Sequence, residues 1–183
     1  MKHLMLDIET LDTATTAVVI QVGWTTFDLV GPPTAPVQWT MDIQEQIDLG
    51  RTISASTLKF WMEQPDIARQ QVFDPARKYS LMELRERFRM MLYGTPIKHV
   101  WSHGPAFDIA TLKSLLGEEP WDFRSLRDTR TLAMLAPHIE RPAAAVKHNA
   151  GDDALAQAKW VQLIMAELKD NTDDTYLSHW EGL

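Results

Sequence analysis

Apolar positions in the first forty residues have the spacing of strands rather than of helices. Residues 2–8 (KHLMLDI) are mostly apolar without a helical stripe, which predicts a buried strand. Residues 17–29 are rich in β-branched and aromatic side chains and predict a second strand, and residues 36–42 predict a third. Because short connections join these segments, we expect them to form an antiparallel meander.

The pattern then becomes helical. Residues 54–64 predict a helix that ends at Pro65, and residues 80–93 predict a longer helix. Ser80 and Glu83 have the spacing of a capping box, in which each side chain bonds the backbone of the other residue. The apolar stripe of this longer helix comprises Leu81, Leu84, Phe88, Met91 and Leu92.

The second half of the chain adds one strand and three helices. Residues 97–102 predict the strand, and 106–116, 125–135 and 152–169 predict the helices. The order β-β-β-α-α-β-α-α-α is typical of an α/β protein in which helices flank a mixed sheet. The last helix carries its apolar face at Ala154, Ala158, Val161, Met165 and Leu168.

Composition restricts the class of protein. A chain of 183 residues with 45% hydrophobic side chains predicts one globular domain with a core of its own. The sequence has no apolar run of the length that spans a bilayer, and its start turns acidic too early for a secretory signal, so we expect a cytoplasmic protein with no membrane partner. The absence of Cys excludes disulfides and thiolate metal sites.

The net charge of −7 argues against a protein that coats duplex DNA, because neutralising many phosphates requires a basic surface. A polyanionic substrate is still compatible with this charge where metal ions and local Lys or Arg residues offset the repulsion.

Two carboxylates close the first apolar run. Asp7 and Glu9 stand two residues apart, so in a strand both point to one face, while Leu6 and Ile8 point to the other. Neighbouring carboxylates repel each other, and their desolvation is costly. Solvent, a basic partner or divalent cations would each resolve this conflict, and a solvated strand end is the plain structural alternative.

Two further segments place carboxylates in comparable positions. Asp108 lies in the first turn of a helix that follows a strand, and Asp153 lies in the first turn of the last helix, with Asp152 beside it. His148 precedes that helix by a few residues. Taken one at a time, an Asp at a helix start also fits a dipole partner or an N-cap, and a loop His also fits a surface residue.

Together these residues indicate metal-assisted phosphoryl chemistry. Oxygen ligands without Cys suit Mg²⁺ or Mn²⁺. Two such ions about 4 Å apart hold the attacking and leaving oxygens of a phosphoryl transfer. A His with an ordinary pKa near ~6.5 is able to accept a proton from water at neutral pH.

Three stretches, LDIETL, AFDIATL and HNAGDDA, resemble the three motifs of the DEDDh 3′–5′ exonucleases of the DnaQ-like superfamily. The runs MKHLMLDIETLD, STLKFWMEQ, VWSHGPAFDIATL, RDTRTL and HNAGDDALAQAKW resemble, in the same order, a phage- and prophage-type branch. The resemblance implies an RNase H-like mixed five-stranded sheet flanked by helices. It also implies an exonuclease domain over 1–169. The remaining residues, 170–183, are acidic and rich in turn formers, which predicts a tail whose end Trp180 would dock.

The resemblance implies roles at the matching positions. His148 corresponds to the general base, and the family spacing of five residues from His to the final Asp selects Asp153 over Asp152. The implied cofactors are two divalent cations, Mg²⁺ or Mn²⁺. Their implied carboxylate ligands are Asp7, Glu9, Asp108 and Asp153.

The resemblance also suggests substrate contacts. Thr10 is a candidate for a backbone or 3′-hydroxyl contact with the 3′-terminal nucleotide, and Leu11 for a wedge against the terminal base. Phe107 is a candidate for the sugar, and Trp61 for a stacking face, with core packing as the alternative for both. His103 stands where the branch typically has the Asn of a Gly-Asn-Gly run, so it either orients substrate or is an incidental surface His.

The implied activity is metal-dependent release of nucleoside 5′-monophosphates from the 3′ end of a single strand. DNA is the favoured substrate, and RNA or short oligoribonucleotides are the alternative. An inactive nucleic-acid-binding module and an acidic-site phosphatase are the rival readings, and the oligomeric state is open between monomer and homodimer.

Overall fold

The computed structural model describes residues 2–73 and 76–171. Its strands are β1 (Lys2–Thr10), β2 (Val19–Phe27), β3 (Val37–Thr40), β4 (Ile97–Ser102) and β5 (Leu126–Asp128). They form one sheet in the order β3-β2-β1-β4-β5. Pairing is antiparallel between β1 and β2 and between β2 and β3, and parallel between β1 and β4 and between β4 and β5. The predicted α/β fold with a mixed five-stranded sheet is confirmed, as is the antiparallel meander of its first three strands.

Helices cover both faces of the sheet. The helix after β3 that carries the predicted capping box has it in full, because the Ser80 side chain accepts from the backbone of Glu83 and the Glu83 side chain accepts from the backbone of Ser80. The described helices are α1 (Ile43–Asp48), α2 (Ala55–Glu63), α3 (Asp66–Val72), α4 (Leu81–Gly94), α5 (Asp108–Leu116), α6 (Thr129–Ala133) and α7 (Ala150–Asn171).

The alternation of β1 divides the core into two parts. Leu4, Leu6 and Ile8 point to one face, where the apolar sides of α4 and α5 cover them. Met5 points to the other face, where it packs against the apolar side of α7. Asp7 and Glu9 share the face of Met5. The central strand therefore directs both carboxylates towards α7.

The prediction of a helix over 125–135 is wrong in its first part. A short 3₁₀ turn (Phe123–Ser125) leads into β5, whose three residues pair in parallel with Val100, Trp101 and Ser102 of β4. Asp128 then caps α6 by accepting from the backbone N–H of Arg130. Three residues are too few to carry a periodic pattern, so this strand forms because a neighbouring strand edge is available.

Two short helices, α1 and α3, were not predicted, since six or seven residues hold less than two turns of pattern. The last helix begins at Ala150 rather than at residue 152, and it runs through residues 170 and 171, which were assigned to the tail. The rest of the predicted tail, including Trp180, lies outside the described residues. Within the described residues, no helix has both the length and the apolar character to cross a membrane.

Candidate active site

The end of β1 and the start of α7 meet because one residue lacks a side chain. Gly23 of β2 is the register partner of Asp7. A Cβ on Gly23 would lie 2.0 Å from the backbone carbon of Ala150, the first residue of α7. Glycine therefore allows the helix to begin directly over the sheet, next to the two carboxylates of β1.

Three predicted ligands meet at this contact. Single carboxylate oxygens of Asp7, Glu9 and Asp153 all lie within 4.8 Å of one another. Asp153 lies in the first turn of α7, where the helix dipole favours a negative charge. The structure thus joins the first and third motifs, which are about 145 residues apart in sequence.

Asp108 approaches the same cluster from β4. It is the first residue of α5, directly after the loop that follows β4, and its side chain is 8% exposed. Its charge contributes to the raised pKa values of both Asp7 and Glu9. It does not belong to the group of three carboxylates whose oxygens lie within 4.8 Å of one another.

The electrostatics of the cluster fit a cation. Burial raises the pKa of Asp7 well above its ordinary value, and three neighbouring carboxylates raise it further. Burial, with the charges of Asp153 and Asp108, raises the pKa of Glu9 to about 8. Burial raises the pKa of Asp108 to about 7, although Arg130 opposes this shift. A nearby cation would stabilise the ionised form of these carboxylates and so lower their raised pKa values. Because every ligand atom is an oxygen, the group suits a hard divalent ion.

Gln157 completes the surroundings of Asp7. It lies one helical turn after Asp153 on α7, and its Nε2 donates to Oδ1 of Asp7 at 2.8 Å. The side chain is 2% exposed, and within the described residues its Oε1 has no hydrogen-bond partner. The sequence analysis missed this residue, because its only signal was the i+4 spacing from Asp153.

His148 stands at the edge of the cluster. Its Nδ1 lies 3.9 Å from Oε1 of Glu9, and its backbone N–H donates to Oδ2 of Asp153 at 2.9 Å. Burial and the charge of Lys147 lower the pKa of the imidazole, against the charge of Asp153. The ring is therefore neutral at neutral pH and is able to accept a proton.

The backbone of His148 is in the left-handed region, with φ at 63°. A buried polar network holds this turn. Asn149 donates from Nδ2 to Oε1 of Gln71 at 2.7 Å, and the N–H of Ala150 donates to Oε1 of Gln21 at 2.8 Å. Gln21 in turn donates to the backbone carbonyl of Gln71 at 3.2 Å. Sequence reasoning missed both glutamines, because only the fold brings β2, α3 and α7 together.

The structure does not open Leu11 or Trp61 to the site. Leu11 is 4% exposed and packs in a small core with Trp61. Trp61 is 3% exposed, and its Nε1 donates to the backbone carbonyl of Thr10 at 2.9 Å. A wedge or a stacking face requires a free surface, so these two expectations are corrected to packing roles. The Thr10 hydroxyl donates to the backbone carbonyl of Asp12 at 2.7 Å, while the backbone carbonyl of Thr10 is the acceptor of the Trp61 indole.

The two remaining candidates lie on different sides of the sheet. Phe107 is half-buried and packs against the core that contains Leu6 and Ile8, so its alternative reading as core filler fits the structure better. His103 is half-buried, and its Nδ1 lies 2.8 Å from Oγ1 of Thr129. His103 therefore contacts the start of α6, and its ring also lies 6.0 Å between centroids from that of Trp160 on α7.

One exposed aromatic residue near His148, the candidate general base, was not predicted. Phe60 lies next to the buried Trp61, and its ring meets that of His148 edge-on at 5.1 Å between centroids. It is 38% exposed, in contrast with Trp61. The sequence analysis considered only Trp61 of this helix as a stacking face.

Two solved nuclease structures share this fold. The structure of cell-death related nuclease 4 (CRN-4) has 16% sequence identity and a TM-score of 0.51, over 91% of this chain and 64% of that one. A full-length 3′-exonuclease has 12% identity and a TM-score of 0.50, over 91% of this chain and 82% of that one. This chain thus spans less than two thirds of the length of CRN-4. At these identities the likeness concerns the fold alone.

The RNase H-like sheet, with an acidic cluster at the end of its central strand, places the chain in the class of DnaQ-like exonucleases. Residues 2–165 match the family described as the 3′-5′ exoribonuclease Rv2179c-like domain, and the chain belongs to this family. The description of this family names a 3′-5′ exoribonuclease activity. No curated protein sequence matches the chain significantly.

Proposed function

We propose that this protein removes nucleotides from the 3′ end of single-stranded nucleic acid as a DEDDh exonuclease and releases nucleoside 5′-monophosphates. The observation that carries the proposal is the meeting of Asp7, Glu9 and Asp153 within 4.8 Å, with His148 Nδ1 3.9 Å from Glu9. Family membership supports the direction of digestion.

The carboxylates would hold two divalent cations, Mg²⁺ or Mn²⁺. Their fit to such ions rests on three observations, namely oxygen-only ligands, mutual proximity and raised pKa values. When bound, the ions neutralise the cluster and stabilise negative charge on the reacting phosphate. The residues assigned to them are Asp7, Glu9, Asp108 and Asp153.

The chain's own residues supply positioning and proton transfer. His148 accepts the proton of the attacking water at Nδ1, the ring nitrogen on the side of the carboxylates. Its lowered pKa keeps it unprotonated at neutral pH. Gln157 fixes the rotation of the Asp7 carboxylate, and the backbone N–H of His148 does the same for Asp153.

RNA is the substrate that the family description supports, whereas the motifs alone favoured DNA. An inactive binding module is the weaker alternative, since the carboxylate residues and the His are all present. The family match over 2–165 supports an exonuclease domain close to 1–169. The phage-type branch and the cytoplasmic location stay predictions from the sequence.

A digestion of matched strands tests the proposal. Single-stranded RNA and DNA of one sequence, labelled at the 5′ end, are incubated with Mn²⁺, Mg²⁺ or EDTA and resolved on a gel. We expect a ladder that shortens from the 3′ end, mononucleotide products, faster loss of RNA, and no digestion in EDTA. Internal cleavage, or no release of mononucleotides with either metal, would overturn the proposal.

A further inference from the structure

Arginines in this protein are almost all engaged by neighbouring groups. Arg89, for example, forms two hydrogen bonds with the carboxylate of Glu118, and Arg85 donates to the backbone carbonyl of Leu116. Every other arginine in the described residues except two has an ion pair, a backbone carbonyl or an aromatic ring away from the acidic cluster as partner. The two that differ are Arg130, whose guanidinium has none of these partners in the described part of the chain, and Arg141, whose ion pair is with Asp153 of the cluster itself.

Both exceptions are exposed and lie beside the carboxylate cluster. Within the described residues, no hydrogen bond or ion pair engages the guanidinium of Arg130. Arg141 forms an ion pair with Oδ1 of Asp153 at 3.9 Å, which is longer than a hydrogen bond. Two arginines whose guanidinium groups form no hydrogen bond within the described residues thus adjoin the acidic cluster.

The two guanidinium groups flank one side of the site. That of Arg130 packs over the backbone of Gly104, with its atoms 3.5–3.8 Å from where a Cβ of Gly104 would stand. Gly104 lies four residues before Asp108. Arg141 lies in the segment that precedes α7, with its Nη2 3.9 Å from Oδ1 of Asp153. One arginine therefore lies at the loop before Asp108 and the other at Asp153, and the charges of both lower the pKa of the half-buried His103.

This placement solves an electrostatic problem. A protein with a net charge of −7 and a buried acidic cluster repels a polyanionic strand as it approaches. Bound cations act on the phosphate at the carboxylates, but they do not hold the phosphates that follow it along the strand. A guanidinium with free donors matches the oxygens of a phosphate in a two-point contact, and it is the side chain best suited to this task.

We propose that Arg130 and Arg141 bind the phosphates of the single strand on the 5′ side of the scissile bond. This inference rests on the proposed function, because it takes the carboxylate cluster as the place of the scissile phosphate. The ligand class is the phosphodiester backbone of one strand, read without regard to base sequence.

Salt dependence of binding is the test. The probe is a 5′-fluorescent single-stranded 12-mer with phosphorothioate linkages at its 3′ end, bound in Mn²⁺ and followed by anisotropy from about 50 to about 300 mM KCl. We expect Arg130→Gln and Arg141→Gln each to reduce the slope of log K against log [salt] by roughly 0.7, and the double variant by roughly twice that amount. Arg124→Gln is the matched control, since it removes the same charge from an exposed arginine at the opposite end of β5.

The outcomes separate this proposal from the proposed function. Slopes for Arg130→Gln and Arg141→Gln equal to that of Arg124→Gln overturn it. A changed affinity for Mn²⁺ with an unchanged slope also overturns it, because the arginines would then only balance the carboxylates. A wild-type protein that binds the strand with the expected slope but never cleaves an unprotected strand contradicts the nuclease chemistry and leaves this phosphate site standing.

Discussion

Gln157 and Asp7 are 150 positions apart in sequence, and a 2.8 Å hydrogen bond joins them. The amide uses one side of the Asp7 carboxylate and leaves the other oxygen for a cation. The Oε1 of Gln157 has no partner among the described residues. An unpaired buried oxygen costs about 1–3 kcal/mol, so an apolar residue here would favour folding. The role of the Gln157 amide is therefore its hydrogen bond to Asp7, which orients that carboxylate.

We predict that Gln157→Met weakens binding of Mn²⁺ by roughly 10- to 100-fold. The free energy of unfolding should change little, because removal of the unpaired Oε1 offsets the loss of the donor to Asp7. Methionine fills a similar volume and removes both the donor and the unpaired oxygen. Isothermal titration with Mn²⁺ and urea denaturation in EDTA measure the two quantities.

The control for this substitution is Gln162→Met on the same helix. Gln162 donates to the backbone carbonyls of Asp28 and Gly31, away from the carboxylates. Its variant should keep the Mn²⁺ affinity. Equal affinities for the two variants would show that Gln157 does not position Asp7.

His148 carries the second prediction. Replacing it with Ala should lower kcat by roughly 10²–10⁴-fold, because the proton acceptor is lost, while Mn²⁺ still binds. His138→Ala is the matched control, since His138 is exposed and its Nε2 lies 3.5 Å from Oε1 of Glu167. Steady-state digestion of a labelled oligonucleotide provides kcat for both variants. Near-normal turnover in His148→Ala would remove the imidazole from the mechanism.

The pH profile sharpens the test of His148. Burial and Lys147 lower its pKa below the ordinary 6.5, so the base loses its proton at a lower pH than a solvent-exposed His does. We expect the acidic limb of kcat against pH to fall below pH 6.5 in the wild type. A limb above that value would contradict the environment described for the ring.

The motifs in the sequence anticipated the site because local geometry encodes them. The i, i+2 spacing of Asp7 and Glu9 determines their common face in any strand, and a helix start exposes Asp153 in the same way wherever the helix packs. Gln157, Gln21 and the contact at Gly23 had no such local signal. Their roles come from distant segments that meet only in the folded chain.

The same distinction explains the errors. Trp61 and Leu11 belong to apolar patterns that do not state which side chain faces solvent, and the fold buries both. The strand β5 has three residues and exists through its pairing with β4. Long, periodic elements such as α4 and α7 were predicted well, because many residues contribute to one signal.

Gly23 provides the third prediction. A Cβ at this position would lie 2.0 Å from the backbone carbon and 2.2 Å from the carbonyl oxygen of Ala150, and neither atom belongs to a flexible side chain. Gly23→Ala should therefore push α7 away from β2 and lower the free energy of unfolding by roughly 3 kcal/mol. The displaced Asp153 should also weaken Mn²⁺ binding.

Gly94→Ala is the control for Gly23→Ala. Gly94 ends α4, and a Cβ there meets no atom within 4 Å. Its variant should be as stable as the wild type or slightly more so. Urea denaturation of both variants makes the comparison, and similar midpoints would show that α7 does not depend on the missing side chain of Gly23.

The last prediction concerns stability in the absence of metal. Burial and neighbouring charges raise the pKa of Glu9 from 4.5 to about 8, and burial raises that of Asp108 from 3.8 to about 7. Between the ordinary and the raised values, the folded protein holds protons that the unfolded chain has released. The free energy of unfolding therefore falls as pH rises through this window, from about pH 4 to about pH 8.

Thermal unfolding in EDTA should show a Tm that decreases from pH 5 to pH 8, whereas Mn²⁺ should raise the Tm most at pH 8, where the carboxylates are charged and ready to bind. Asp108→Asn removes one of the like charges, so its Tm should fall less steeply with pH. A Tm in EDTA that is flat or rises over this range would show that folding does not raise the pKa values of these carboxylates. It would also remove the electrostatic argument for a cation at the cluster.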